Sequence, residues 1–145
     1  MIGILIVHIV VAALAATFGS RLHARVFWLA LAAPAATVVW AASIWGDVTD
    51  GTPVVQERSW VSELGLDLRF VIDEFALMML FIVGGVGVLV MAYASQYFGE
   101  EEGLGRFTAF LTVFAGAMTG LVTADSLLLI FVFWELVGVS SYLLI

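Results

Sequence analysis

Glu135 lies near the middle of the apolar run from Ser126 to Ile145, with no other charge in that run. Placing an ionised side chain at the centre of a bilayer costs about 2.5–3.5 kcal/mol on insertion scales. A carboxylate balanced against that cost can take up and release protons, which is the chemistry of a proton relay. Gly138, three residues on, falls on the same helical face and leaves room for water or a partner chain. Ser140, Ser141 and Tyr142 supply hydroxyls further along, and Phe131, Phe133 and Trp134 surround the carboxylate with aromatic bulk. The competing reading is a protonated Glu135 hydrogen-bonded to a neighbouring helix and holding a bundle together. His8, near the middle of the first apolar run, is a weaker candidate: a proton relay, or a ring that satisfies a carbonyl. Asp125, between Ala124 and Ser126, reads as the N-cap of the next helix. Other chemistries find no residues. There is no nucleophile–base pair, no HExxH, no phosphate loop followed by lysine, no ligand cluster for a metal or haem, and no cysteine. No cofactor is implied.

The elements that must position these residues are membrane helices. The chain has 145 residues, of which 63% are hydrophobic and 12% charged, against about 25% charged in an average soluble domain. Mean hydropathy is +1.16. Lipid is the solvent that fits. The net charge of -7 excludes a nucleic-acid partner, which needs a basic face. Five spans follow from the apolar runs: Ile2 to about Phe18, Val26 to Trp45, about Glu74 to Ala94, Phe107 to about Thr123, and Ser126 to Ile145. The first lacks the basic start of a signal peptide and reads as a retained helix. Pro34 sits inside the second span, and Trp45 is placed as an interfacial anchor. Gly84-Gly85-Val86-Gly87 in the third and Gly116-Ala117-Met118-Thr119-Gly120 in the fourth suit close helix contact.

Between the second and third spans, Leu66-Asp67-Leu68-Arg69-Phe70 alternates with a strand's period, and Val54 to Val61 is a weaker strand candidate; together they read as a hairpin on the membrane surface, with an irregular loop as the competing reading. The predicted fold is therefore an all-α membrane protein of five transmembrane helices with a surface β-hairpin. Residues 1–72 form two leading helices and the extracytoplasmic hairpin, and residues 73–145 form three further helices. Asp73 is placed as the N-cap of the third helix. Glu100 to Glu102 reads as a solvated loop. Arg21, Arg25 and Arg106 outweigh Arg58 and Arg69, which puts the first and third connections in the cytoplasm and the N-terminus and hairpin outside. The last run has no polar flank, so a truncated polypeptide is expected, unstable alone.

From about Trp60 to Ile145 the chain resembles the antiporter-like membrane subunits of Mrp-type multisubunit cation/proton antiporters and of respiratory complex I. The residues that carry this are Ile72-Asp73-Glu74-Phe75-Ala76-Leu77, Tyr93-Ala94-Ser95-Gln96-Tyr97, Arg106-Phe107, Phe114-Ala115-Gly116-Ala117-Met118, Ala124-Asp125-Ser126-Leu127-Leu128, Phe133-Trp134-Glu135-Leu136 and Ser140 to Ile145. The first 59 residues agree only in pattern. The resemblance implies two inverted five-helix repeats in the whole subunit. It also makes the glutamate of the Trp-Glu pair, here Glu135, the family's key acid, paired with a lysine on a later helix. This chain contains no lysine. The wording around Phe114 and Phe133 is similar to the large A subunit of Mrp complexes, which is the favoured reading. The wording around Tyr93 and Val137-Gly138 is similar to the distal subunit of complex I. The implied role is sodium/proton antiport in a bacterial inner membrane, with protons, monovalent cations, lipid and other antiporter subunits as partners. The alternatives are a proton-pumping subunit of an NADH-quinone oxidoreductase and a non-transporting scaffold.

Overall fold

The computed structural model describes residues 1–61, 66–99 and 103–145, and the loop expected at Glu100 to Glu102 lies outside them. The elements run α1 (Ile2–Leu22), a 3-10 turn (His23–Arg25), α2 (Val26–Ser43), α3 (Trp45–Thr49), β1 (Val54–Val61), β2 (Leu66–Ile72), α4 (Glu74–Tyr97), α5 (Leu104–Leu121) and α6 (Leu127–Leu144). Among the described residues, four stretches are long and apolar enough to cross a membrane: Ile2–Ser43, Glu74–Tyr97, Leu104–Leu121 and Leu127–Leu144. The first has 42 residues, about twice what one crossing needs. It folds back at His23, whose φ of 48° lies in the left-handed region, and so divides into α1 and α2.

Each boundary has a local cause. Asp73 caps α4 as expected, its Oδ1 accepting from the Ala76 N–H at 2.8 Å. Asp125 does not cap α6, contrary to the sequence reading. Ser126 does, its Oγ accepting from the Leu129 N–H at 3.2 Å, while the Asp125 carboxylate is drawn to Arg69. The short α3 is also additional to the expected elements. Five residues including a glycine carry too little periodicity to announce a helix. Its Trp45 remains exposed and meets Phe81 edge-on at 5.6 Å.

The hairpin forms where the alternation places it. β1 and β2 pair antiparallel with Val55 opposite Val71 and Glu57 opposite Arg69, and the register shifts between Ser59 and Val61. Along β2 the period of two buries Phe70 and Ile72 and leaves Asp67 and Arg69 outward.

The helices meet through missing side chains. α1 packs on α5, α2 on α4, and α5 on α6. A methyl group on Gly19 would overlap the Gly105 backbone, and one on Gly105 would lie 2.8 Å from the Ala15 carbonyl oxygen. Gly84 and Gly87 face Pro34 and Val38 in the same way, so α2 continues through its proline with α4 laid against the ring. Between α4 and α5 the fit is looser, leaving an apolar cleft bounded by Val86, Val90, Leu111 and Met118. Phe27, Phe98 and Phe107 cluster where α1 turns into α2, Phe27 stacking on Phe98 with centroids 5.6 Å apart and Phe107 meeting Phe27 edge-on. The opposite end gathers Met1, the hairpin and the α5–α6 turn. There the Met1 amino group donates to Gln56 Oε1, and burial pushes it down to about 6.

Gly19→Ala is expected to destabilise the bundle by about 1–3 kcal/mol, because backbone sits where the methyl must go. Gly3→Ala, whose added methyl meets nothing within 4 Å, is the control. Thermal midpoints of the two detergent-solubilised variants of the full-length protein measure this, and equal midpoints would reject the close-contact account.

Candidate functional site

The site begins with how α6 is held. Its N-terminal end is tied to the hairpin by backbone hydrogen bonds. The Val71 N–H donates to the Thr123 carbonyl at 2.9 Å, and the Asp125 N–H donates to the Arg69 carbonyl at 3.1 Å. Phe70 and Ala124 pair antiparallel between them, so the α5–α6 turn extends the edge of β2. Above this join Arg69 Nε lies 3.3 Å from Asp125 Oδ2 and 3.8 Å from Glu57 Oε2. The arginine side chain is 49% exposed, so screening by solvent keeps each pair below about 1 kcal/mol.

The larger contribution comes from Phe70. It is 1% exposed and packs with Met1, Leu129, Ala124 and Phe133, its ring centroid 6.0 Å from that of Phe133. Phe133 in turn lies over Gly120, where a methyl group would overlap its ring. Two residues beyond Phe133 comes Glu135. Hairpin, α5 and α6 are therefore keyed together one helical half-turn from the candidate carboxylate.

Glu135 sits on the outward face of α6. Nine residues into the helix from Ser126, it is about 13 Å from that end, near the middle of a hydrocarbon core about 30 Å thick. It has no hydrogen bond and no ion pair among the described residues. Gly138 shares its face, and a methyl group there would meet nothing within 4 Å. Ser140 and Ser141, expected from the sequence to support Glu135, are turned by the helix to other faces. Five residues advance an α-helix by about 140° past a full turn. Ser140 is buried and its hydroxyl donates back to the Leu136 carbonyl at 2.6 Å, while Ser141 is half-buried. The hydroxyl on Glu135's own face is that of Tyr142, seven residues on and 77% exposed. The aromatic neighbours divide likewise: Phe133 packs inward, Phe131 and Trp134 outward.

His8 lies elsewhere, in the α1–α5 contact. It is 2% exposed, its Cβ close against Gly116, and its Nδ1 is 2.9 Å from the Ile4 carbonyl oxygen. Its Nε2 is buried without a partner. Leaving such a polar atom unsatisfied costs about 1–3 kcal/mol. The α5 face it meets carries further polar groups, which stand at helical spacing in the sequence. Thr108, Thr112 and Thr119, with Thr123 just past the helix end, are all buried, and the hydroxyls of Thr112, Thr119 and Thr123 bond back to carbonyls four residues earlier. Their three- and four-residue spacings with Gly105 and Gly116 were the available signal.

Comparison with known proteins agrees with this architecture. Residues 60–108 match the family described as NADH-Ubiquinone oxidoreductase (complex I), chain 5 N-terminus. The Na(+)/H(+) antiporter subunit A1 of Staphylococcus haemolyticus is 31% identical over 118 residues, covering 81% of this chain and 15% of that protein. The NAD(P)H-quinone oxidoreductase chain 5 of a Synechocystis species is 40% identical over 113 residues, covering 77% of this chain and 17% of that protein. A solved structure of the Mrp complex from Dietzia superposes with a TM-score of 0.82 at 31% identity, over 97% of this chain and 15% of that one. The chain thus spans about one-sixth of the length of these relatives.

Phe70→Ala is expected to loosen the α6 N-terminal turn, with hydrogen exchange of residues 127–133 accelerated by about tenfold or more, since truncating a buried phenylalanine costs several kcal/mol. Phe70→Leu keeps most of the burial and restores protection. Unchanged exchange in Phe70→Ala would show that α5 alone holds α6.

Proposed function

This chain belongs to the antiporter-like family of membrane subunits that includes the A subunits of Mrp antiporters and chain 5 of complex I, and from that premise we propose that it serves in sodium/proton antiport. The helices α1, α2, α4, α5 and α6 make five crossings of a bacterial inner membrane. The hairpin and Met1 face outside and the His23 turn faces the cytoplasm, in keeping with Arg21, Arg25 and Arg106 at that end. Residues 73–145 begin the proton-conducting module, and the other subunits of an antiporter complex are the partners. Protons pass through a mid-membrane path in which Glu135 binds and releases them, with Gly138 leaving space for water beside it.

The observation that supports this reading best is the placement of Glu135: a carboxylate without a partner among the described residues, halfway along an apolar helix and turned outward. A lone intramembrane acid is costly and calls for a function or a partner. Ser140 and Ser141 have no direct part, since neither shares the face of Glu135. A second reading, a proton-pumping subunit of a quinone oxidoreductase, is favoured by the 40% identity to the chain 5 relative. In that case the same carboxylate works in a path driven by redox chemistry elsewhere.

Sodium-dependent proton movement in inverted vesicles tests both. In the full-length complex, Glu135→Gln is expected to lower antiport by about a hundredfold or more while assembly on a native gel is unchanged. Undiminished antiport would make Glu135 a structural hydrogen-bonding group. Absence of sodium-driven proton movement in the native complex would favour the respiratory reading.

A further inference from the structure

We propose that His8 is a second proton-binding group of this subunit, with Nε2 as the atom that takes the proton. The inference rests on the transporter reading and extends it from α6 to the α1–α5 interface.

The tautomer follows from one contact. A carbonyl oxygen only accepts, so the 2.9 Å approach of Nδ1 to the Ile4 carbonyl places the ring hydrogen on Nδ1. The neutral ring then carries its lone pair on Nε2, which is buried and unpartnered. Native structures rarely leave such an acceptor bare, and a phenylalanine would fill this contact without one. The other buried side-chain atom without a partner among the described residues is Thr108 Oγ1, on the same α5 face about two helical turns away. The α1–α5 interface is thus a polar seam inside an apolar bundle.

Its depth connects it to Glu135. Gly19 beside Gly105 and His8 beside Gly116 make α1 and α5 antiparallel, and the short connection from Leu121 to Leu127 turns α6 back along α5, with Phe133 over Gly120. From the hairpin end, His8 lies about 10 Å into α1 and Glu135 about 13 Å into α6. The two ionisable groups lie at similar depth, His8 enclosed in the α1–α5 contact and Glu135 turned outward on α6. Few charges compete. Among the described residues, α2 contributes none, α5 only Arg106 at its far end, and α1 only Arg21 and the Met1 amino group, which is turned to Gln56. Nε2 gains a proton from a hydronium ion of the transport path and returns it to water, while the Nδ1–H bond to Ile4 is kept throughout. His8 is then a proton store beside the path through Glu135.

The test uses the full-length complex with nitrogen-15-labelled histidine, the His8 signal being assigned by difference from His8→Phe. The expected spectrum changes from the neutral form with a bare Nε2 to the doubly protonated ring between about pH 9 and about pH 5. Antiport in the assembled His8→Phe complex is expected to fall about tenfold at saturating sodium, with half-saturation for sodium unchanged. His8→Gln, which keeps hydrogen-bonding capacity but cannot hold a proton, is expected to show the same loss. Rescue by glutamine, an Nε2–H tautomer, a single protonation state across that range, or full antiport in His8→Phe would each overturn the proposal. If His8→Phe fails to assemble, His8→Gln supplies both the difference spectrum and the rate. Full antiport in Glu135→Gln would defeat the reading of Glu135 and leave the His8 titration standing.

Discussion

Close approach of helix backbones at glycine is the constraint on which this structure depends. Lipid offers helices no hydrophobic incentive to associate, so contact distance and van der Waals fit must hold them. Gly19 and Gly105 bring α1 and α5 together, and Gly84 and Gly87 let α4 lie against Pro34 of α2. Once α1 lies along α5, Met1 is carried to the hairpin and His8 to Gly116. The positions of the polar groups are consequences of where side chains are missing.

The hairpin solves a different problem. Of the apolar helices, α6 is the least buried, with only Leu129 and Ser140 enclosed. Its orientation cannot come from its own burial. It comes from a polar strand edge outside the apolar layer, where backbone hydrogen bonds at Val71 and Asp125 have direction, and from Phe70, which carries that restraint down to Phe133. Directional bonds outside and a packed aromatic pair below fix a helix whose opposite face stays open. That open face is the one bearing Glu135, Gly138 and Tyr142.

His8 and Glu135, each well inside an apolar helix, contrast in how their cost is met. His8 is enclosed, with one nitrogen satisfied by its own helix and the other bare. Glu135 is turned out of the bundle, with no group among the described residues to meet its charge. The glycines and threonines of α5, against which His8 packs, make it the most polar of the apolar helices.

Much of this was legible in the residues. Apolar runs long enough to cross a bilayer, the two-residue alternation before Phe70, the cap at Asp73 and the glycine spacings are local properties, because period and capping depend on neighbours in the chain. The same locality made Glu135 conspicuous. What required the tertiary structure is what distant segments do to one another. Asp125 and Ser126 are equally good caps in sequence, and Arg69, 56 positions earlier, decides between them by drawing the aspartate away. The role of Phe70 depends on a turn brought against β2 by the packing of α5. The tautomer of His8 is local to Ile4, but its bare nitrogen exists only because Gly116 admits α1 so closely. The sequence by itself determined which segments enter lipid and which residue there is costly to keep. Only the packed structure decided which way each polar group faces, because facing is set by contacts between helices that the linear order does not encode.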